Sequence, residues 1–239
     1  MNVYETKPIG QLISGNNYVG RGIVVGQTPD SKKALFAYFI MGRSVNSRNR
    51  VFIETDDGIR TQAHDPSKLA DPSLIIYAPV RRFENNIIVT NGDQTDTIYD
   101  ALAQGKSFVD ALRTRTFEPD GPNFTPRISA MLTLSGGSFT YAMSILKSAD
   151  PDGSACSRYF FEYPAVPGVG QFLHTYVCDG NPIPTFVGEP ERVAMPDDLD
   201  TLTLDLWNNL DADNRISLYT CSIDLQTGTA QTRLINKNI

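Results

Sequence analysis

With 239 residues, 41% hydrophobic and 20% charged, the chain can bury a sizeable core and does not have a disordered composition. Its net charge of −6 argues against a general nucleic-acid binder, whose footprint is broadly basic. The 3 cysteines, Cys156, Cys178 and Cys221, are odd in number and far apart, which speaks against a disulfide framework, and the 2 histidines, His64 and His174, supply no zinc spacing.

The opening MNVYETKPIG lacks a signal pattern, and no apolar run reaches membrane-spanning length. These features predict a soluble, cytoplasmic protein that needs no metal or cofactor and has no membrane or nucleic-acid partner. A homo-oligomer is compatible with them.

In chain order, Met1 to Asn17 reads as a lead-in ending in the turn-rich Ser14 to Asn17. Tyr18 to Gly26 is a strand interrupted by Arg21. Its glycines, Gly20, Gly22 and Gly26, are not a dinucleotide fingerprint, because no helix follows. Thr28 to Lys33 is a turn and Ala34 to Met41 a second strand, predicting a hairpin. Its far end runs into Arg43, Arg48 and Arg50, interleaved with Ser44, Asn46, Ser47 and Asn49, before strand resumes at Val51. Guanidiniums beside a buried strand are costly unless an anion sits among them. Their planar fork suits carboxylate or phosphate. A strand connection whose arginines simply face water is the other reading.

Leu74 to Phe83 reads as a strand paired with Ile87 to Thr90, and alternation would put Tyr77 and Arg81 on one face. Asp93 to Asp96 resembles an acidic capping box, opening a helix to about Ala103 that Gly105 closes. Ser107 to Asp110 repeats the start signal for a helix to about Arg113. Beyond Glu118 to Pro122, strands are predicted at 127–134, 138–147, 157–162 and 171–177. An irregular Pro-rich stretch at 181–196, a helix at 197–209 and a hairpin of 215–224 with 229–235 follow. Strands, then helices, then strands, without a linker or repeat, predict one α+β domain over 1–239 with layered antiparallel sheets.

Two motifs tempt and fail. Ser144 to Lys147 matches S-x-x-K but lies in a strand, not at a helix start. His174 lies mid-strand and His64 in a turn, so neither suggests a nucleophile triad.

Tyr18-Val-Gly-Arg21, Arg43-Ser44 through Asn49-Arg50, Ile76-Tyr77, Val89 to Ile98 (VTNGDQTDTI) and Asn123 to Ile128 (NFTPRI), in that order, resemble the archaeal-type IMP cyclohydrolase family. The resemblance spans Tyr18 to about Met131. It implies a four-layer αββα sandwich like the N-terminal nucleophile hydrolases, without an N-terminal nucleophile. It also implies a small nucleotide substrate and closure of 5-formamidoimidazole-4-carboxamide ribonucleotide to inosine monophosphate with loss of water. By motif position it assigns catalysis to Arg48, Tyr77 and Glu118, and substrate contacts to Arg21, Arg43, Ser44, Arg50, Asn91 and Arg127. The run Ser47-Arg48-Asn49-Arg50 leaves open which arginine takes the catalytic place. A non-catalytic purine-nucleotide-binding protein, or an amide hydrolase with a self-processed nucleophile, would be the other functions on such a fold.

Overall fold

The computed structural model describes residues 4–69, 72 and 74–238. In chain order the first elements are β1 (Lys7–Pro8), α1 (Ile9–Ile13), β2 (Arg21–Gln27), β3 (Lys33–Met41), α2 (Val45–Arg48), β4 (Arg50–Thr55) and β5 (Gly58–Ala63). There follow β6 (Val80–Phe83), β7 (Asn86–Thr90), α3 (Gln94–Ala103), α4 (Phe108–Arg113), β8 (Arg127–Ser135) and β9 (Ser138–Ser148). The chain closes with β10 (Cys156–Pro164), β11 (Val169–His174), β12 (Glu191–Ala194), α5 (Leu199–Asn209), β13 (Arg215–Asp224) and β14 (Ala230–Asn236).

The uncharged run in β3 has both faces apolar because both are covered. Tyr38 lies opposite Ile23 of β2 on one side and Tyr219 of β13 on the other. One 7-stranded sheet runs β1-β12-β11-β2-β3-β13-β14, and a second, also of 7 strands, runs β10-β9-β8-β7-β6-β5-β4. Among the described residues the named strands pair antiparallel, apart from the short parallel β1–β12 bridge. The architecture is therefore α+β with two antiparallel-dominated sheets and few helices.

Alternation sorts the side chains into layers. Ile23, Phe36, Tyr38 and Ile40 of the first sheet meet Val89, Ile128, Leu132 and Met143 of the second in one core. On the far face of the first sheet, Val24, Leu35 and Phe39 pack against Ile9 and Ile13 of α1 and Leu202 and Leu206 of α5. On the far face of the second, Ile88 and Leu146 pack against Ile98 of α3 and Phe108 and Leu112 of α4. Among the described residues no helix is long and apolar enough to cross a membrane.

Several sequence expectations are revised. Leu74 to Phe83 is not one strand: only Val80–Phe83 pairs as β6. Pro79 has no N–H to extend the ladder. Tyr77 is instead held by Thr61: its N–H donates to Thr61 Oγ1 (2.8 Å) and its carbonyl accepts from the Thr61 N–H (2.9 Å). Tyr77 and Arg81 thus do not share a strand face. Asp93 precedes α3 but makes no side-chain cap, whereas Ser107 and Asp110 form a complete capping box on α4. The Pro-rich stretch 181–196 contains β12, and β5 had no sequence counterpart.

The lead-in is built into the structure from its described part onward, Met1 to Val3 lying outside the described residues. Ile9 and Ile13 are buried, and the Gly10 N–H donates to Asp205 Oδ2 of α5 (2.9 Å). Ile13→Ala should therefore cost about 2–5 kcal/mol, as for other core truncations. Urea unfolding measures this, and an unchanged midpoint would mean that α1 contributes nothing to the core.

Candidate active site

Strand ends carry most of the charge. Arg21 opens β2, Arg50 opens β4 and Arg127 opens β8. The Arg21 backbone is clamped by Thr175: its N–H donates to Thr175 Oγ1 (3.1 Å) and its carbonyl accepts from the Thr175 N–H (3.0 Å). Gly20 makes that clamp feasible, with φ at +79° and Thr175 Oγ1 only 2.1 Å from where a Cβ would stand. Arg21 Nη2 lies 4.0 Å from Glu118 Oε2, and both side chains are buried.

Glu118 sits in the connection between α4 and β8, where its N–H donates to the Thr125 carbonyl (2.9 Å). It is 2% exposed. Burial pushes its carboxyl up to about 7, against the pull of Arg21 and Arg127. Such a group can give or take a proton near neutral pH.

Arg50 is 0% exposed. Its Nε donates to the Ser47 carbonyl (2.8 Å), and among the described residues Nη1 and Nη2 have no hydrogen-bond partner. Burial, then the neighbouring charge of Arg21, pulls its guanidinium below the ordinary arginine value. Tyr77 is buried with its hydroxyl 2.8 Å from that of Tyr38, and both phenols are electrostatically coupled to Arg50. Arg127, also buried, donates from Nη1 to Gln94 Oε1 (2.7 Å) and pairs with Asp93 Oδ1 (2.7 Å).

Arg21, Arg50, Tyr77, Glu118 and Arg127 are thus brought into one coupled group. Of the remaining candidates, Asn91 is linked to Arg127 through Gln94, and the others stand apart from the group. Arg48 is exposed at the end of α2, donating from Nε to the Gly42 carbonyl (3.0 Å) and from Nη2 to Asn214 Oδ1 (2.7 Å). The one-turn helix is the reason: Arg48 ends α2 and Arg50 begins β4, so the two arginines do not share a strand face. Ser44 caps that helix, accepting from the Ser47 N–H (3.1 Å). Asn91 is buried but engaged by backbone, donating to the Pro126 carbonyl (2.9 Å) and accepting from the Ile128 N–H (2.9 Å). Arg43 is exposed, paired with Asp179 and the Gly180 carbonyl, its guanidinium 5.1 Å from the centre of the Tyr18 ring.

Sequence reasoning passed over Tyr38, Asp93 and Tyr176. Tyr38 lies in an uncharged strand and reads as core. Asp93 looks like a helix cap, yet its carboxylate bonds Arg115 Nη2 (2.6 Å) besides Arg127. Tyr176 hydrogen-bonds Thr125 (2.5 Å), and Thr125 in turn bonds Asp120, securing the Glu118 connection.

The family model for "IMP cyclohydrolase-like protein" matches residues 18–228. A relative from Methanococcus aeolicus, named IMP cyclohydrolase, is 30% identical over 165 residues, covering 67% of this chain and 75% of its own length. Another of that name, from Methanopyrus kandleri, is 30% identical over 185 residues, covering 71% and 89%. A third, from Methanocaldococcus jannaschii, is 31% identical over 117 residues, covering 48% and 56%.

The raised carboxyl makes a stability prediction with a definite sign. Burial lets the folded chain hold the Glu118 proton up to about pH 7, whereas an ordinary glutamate loses it near 4.5. Stability from this group is full below pH 4.5 and is lost as pH rises through 7. Relative to Glu118→Gln, the wild type should lose about 3 kcal/mol between pH 4 and 8. Parallel urea-unfolding curves for the two proteins across that range would show an ordinary carboxylate.

Proposed function

This chain belongs to the IMP cyclohydrolase-like family, and from that premise we propose that it is an IMP cyclohydrolase. It closes 5-formamidoimidazole-4-carboxamide ribonucleotide to inosine monophosphate with loss of water. The observation that carries this reading is Arg50, a fully buried guanidinium whose terminal nitrogens have no partner among the described residues, coupled to Tyr77 and to the titratable Glu118.

The chemistry asks for these groups. A carboxamide nitrogen attacks the formyl carbon of the same molecule, the formyl oxygen takes up negative charge, and water leaves once that oxygen has gained protons. Holding the two groups together is the first contribution, an orientation effect. Arg50 and Tyr77 donate hydrogen bonds to oxygen as charge develops on it, the role of an oxyanion hole. Glu118, with its carboxyl near 7, relays to the formyl oxygen the proton that the attacking nitrogen loses. It then relays to the resulting hydroxyl a second proton, lost from the formamido nitrogen as the ring C=N bond forms and water leaves. Arg21 keeps Glu118 oriented, while Arg127 and the more exposed Arg43 offer positive charge to the nucleotide phosphate. Arg50, not Arg48, takes the catalytic arginine's place. Arg48, Ser44 and Asn91 serve the framework that holds it.

The helix-covered outer faces and the core between the sheets support the four-layer αββα reading, and with it the likeness to N-terminal nucleophile hydrolases. The core shared by both sheets supports treating 1–239 as one domain.

The test follows product absorbance when purified protein is mixed with the formamido ribonucleotide. Replacing an unpaired buried cation by an apolar side chain removes a desolvation cost, so Arg50→Met should raise the stability of the free protein by about 1–4 kcal/mol. The same change should lower kcat/KM on the order of 10²-fold or more, at least the loss of one oxyanion donor. Arg48→Ala should stay within a few-fold of wild type in the same assay. The reverse ranking of the two variants would return the catalytic place to Arg48.

A further inference from the structure

The hydroxyl pair Tyr38–Tyr77 has a direction that hydrogen-bond counting can decide. A phenol has one proton to donate and lone pairs with which to accept. Tyr38 is fully buried in β3, its ring stacked on Phe52 with centroids 5.7 Å apart. Among the described residues its hydroxyl meets one hydrogen-bond partner, the Tyr77 hydroxyl at 2.8 Å. Burial, then its neighbour Tyr77, pushes the Tyr38 phenol well above the ordinary tyrosine value, so it keeps its proton.

If Tyr77 donated, its one proton would be used inside the protein and Tyr38's would be buried without an acceptor. A buried unsatisfied donor costs about 1–3 kcal/mol. If Tyr38 donates, the proton left over is that of Tyr77, where a bound ligand's oxygen can accept it. With an acceptor present, only the second arrangement satisfies both hydroxyls.

We infer that Tyr38 is a positioning residue for the cyclisation, donating to the Tyr77 oxygen so that the Tyr77 proton is left for the oxygen on which charge develops. This rests on the role given to Tyr77 above. Hydrogen bonds in a chain polarise one another. As Tyr77 donates to an increasingly negative oxygen, its own oxygen gains charge and the bond from Tyr38 strengthens. That gain belongs to the transition state more than to the bound substrate, so it lies in kcat and little in KM.

The experiment compares Tyr38→Phe, Tyr77→Phe and the double variant for turnover of the formamido ribonucleotide, with the melting temperature of each. Tyr38→Phe keeps the ring and the Phe52 stack. It should lower kcat on the order of 10-fold to 100-fold, less than the loss of a direct oxyanion donor, with KM within a few-fold. The double variant should be no slower than Tyr77→Phe alone, because Tyr38 acts only through the Tyr77 oxygen. Phe52→Leu loosens the same stack without removing a hydroxyl, and should lower the melting temperature while kcat is kept.

Wild-type kcat in Tyr38→Phe overturns the inference, and so do losses that multiply in the double variant. A kcat loss in Phe52→Leu equal to that of Tyr38→Phe also overturns it, since packing would then explain both. If Tyr77→Phe is impaired and Tyr38→Phe is not, the Tyr38 inference alone falls. If Tyr77→Phe is fully active, the role of Tyr77 falls and that of Tyr38 falls with it.

Discussion

A guanidinium removed from water and left without an anion is among the most expensive arrangements in a protein interior. Arg50 is such a group, and its surroundings are organised to tolerate it. Its Nε is satisfied by the Ser47 carbonyl, supplied by the one-turn helix just before it. That helix is in turn capped by Ser44 and anchored through Arg48 to Gly42 and Asn214. Glu118 lies near enough to lower the electrostatic cost of the cluster, but desolvation keeps it from being a full counter-charge at neutral pH. The cluster thus carries an electrostatic cost that an anionic or strongly polar group placed beside Arg50 would remove.

Much of the frame was legible in the sequence, for identifiable reasons. The β2–β3 hairpin showed in two apolar runs around a turn, and the capping box at Ser107 and Asp110 marked α4 almost to the residue. Reading failed where one local signal had two uses. Asp93 stands where a cap would, but two arginines claim its carboxylate. Leu74 to Phe83 has strand composition, yet Thr61 holds Tyr77 outside the ladder.

The candidate site was half legible. Arg21, Tyr77, Glu118 and Arg127 came from the family resemblance and meet in space. The choice between Arg48 and Arg50 could not come from spacing, because a strand would have put both on one face, whereas Arg48 ends a four-residue helix and Arg50 begins a strand. Tyr38 was invisible for a different reason. Nothing in an uncharged strand says that a phenol's hydroxyl will reach the opposite layer, and that contact exists only once the sheets have stacked.

The site's side chains hang on two kinds of support. Arg21, Arg50 and Arg127 stand at strand beginnings, whereas Tyr77 and Glu118 belong to connections between elements. All of them are buried, and connections open at lower free energy than paired strands. Opening would then withdraw the phenol and the carboxyl while leaving the cations in place. A ligand would be caught first by fixed charge and only afterwards enclosed by the groups that handle protons. Its observed affinity would be scaled by the fraction of molecules open at any instant. The order of capture and reaction would thus be set by which side chains stand on strands and which on loops.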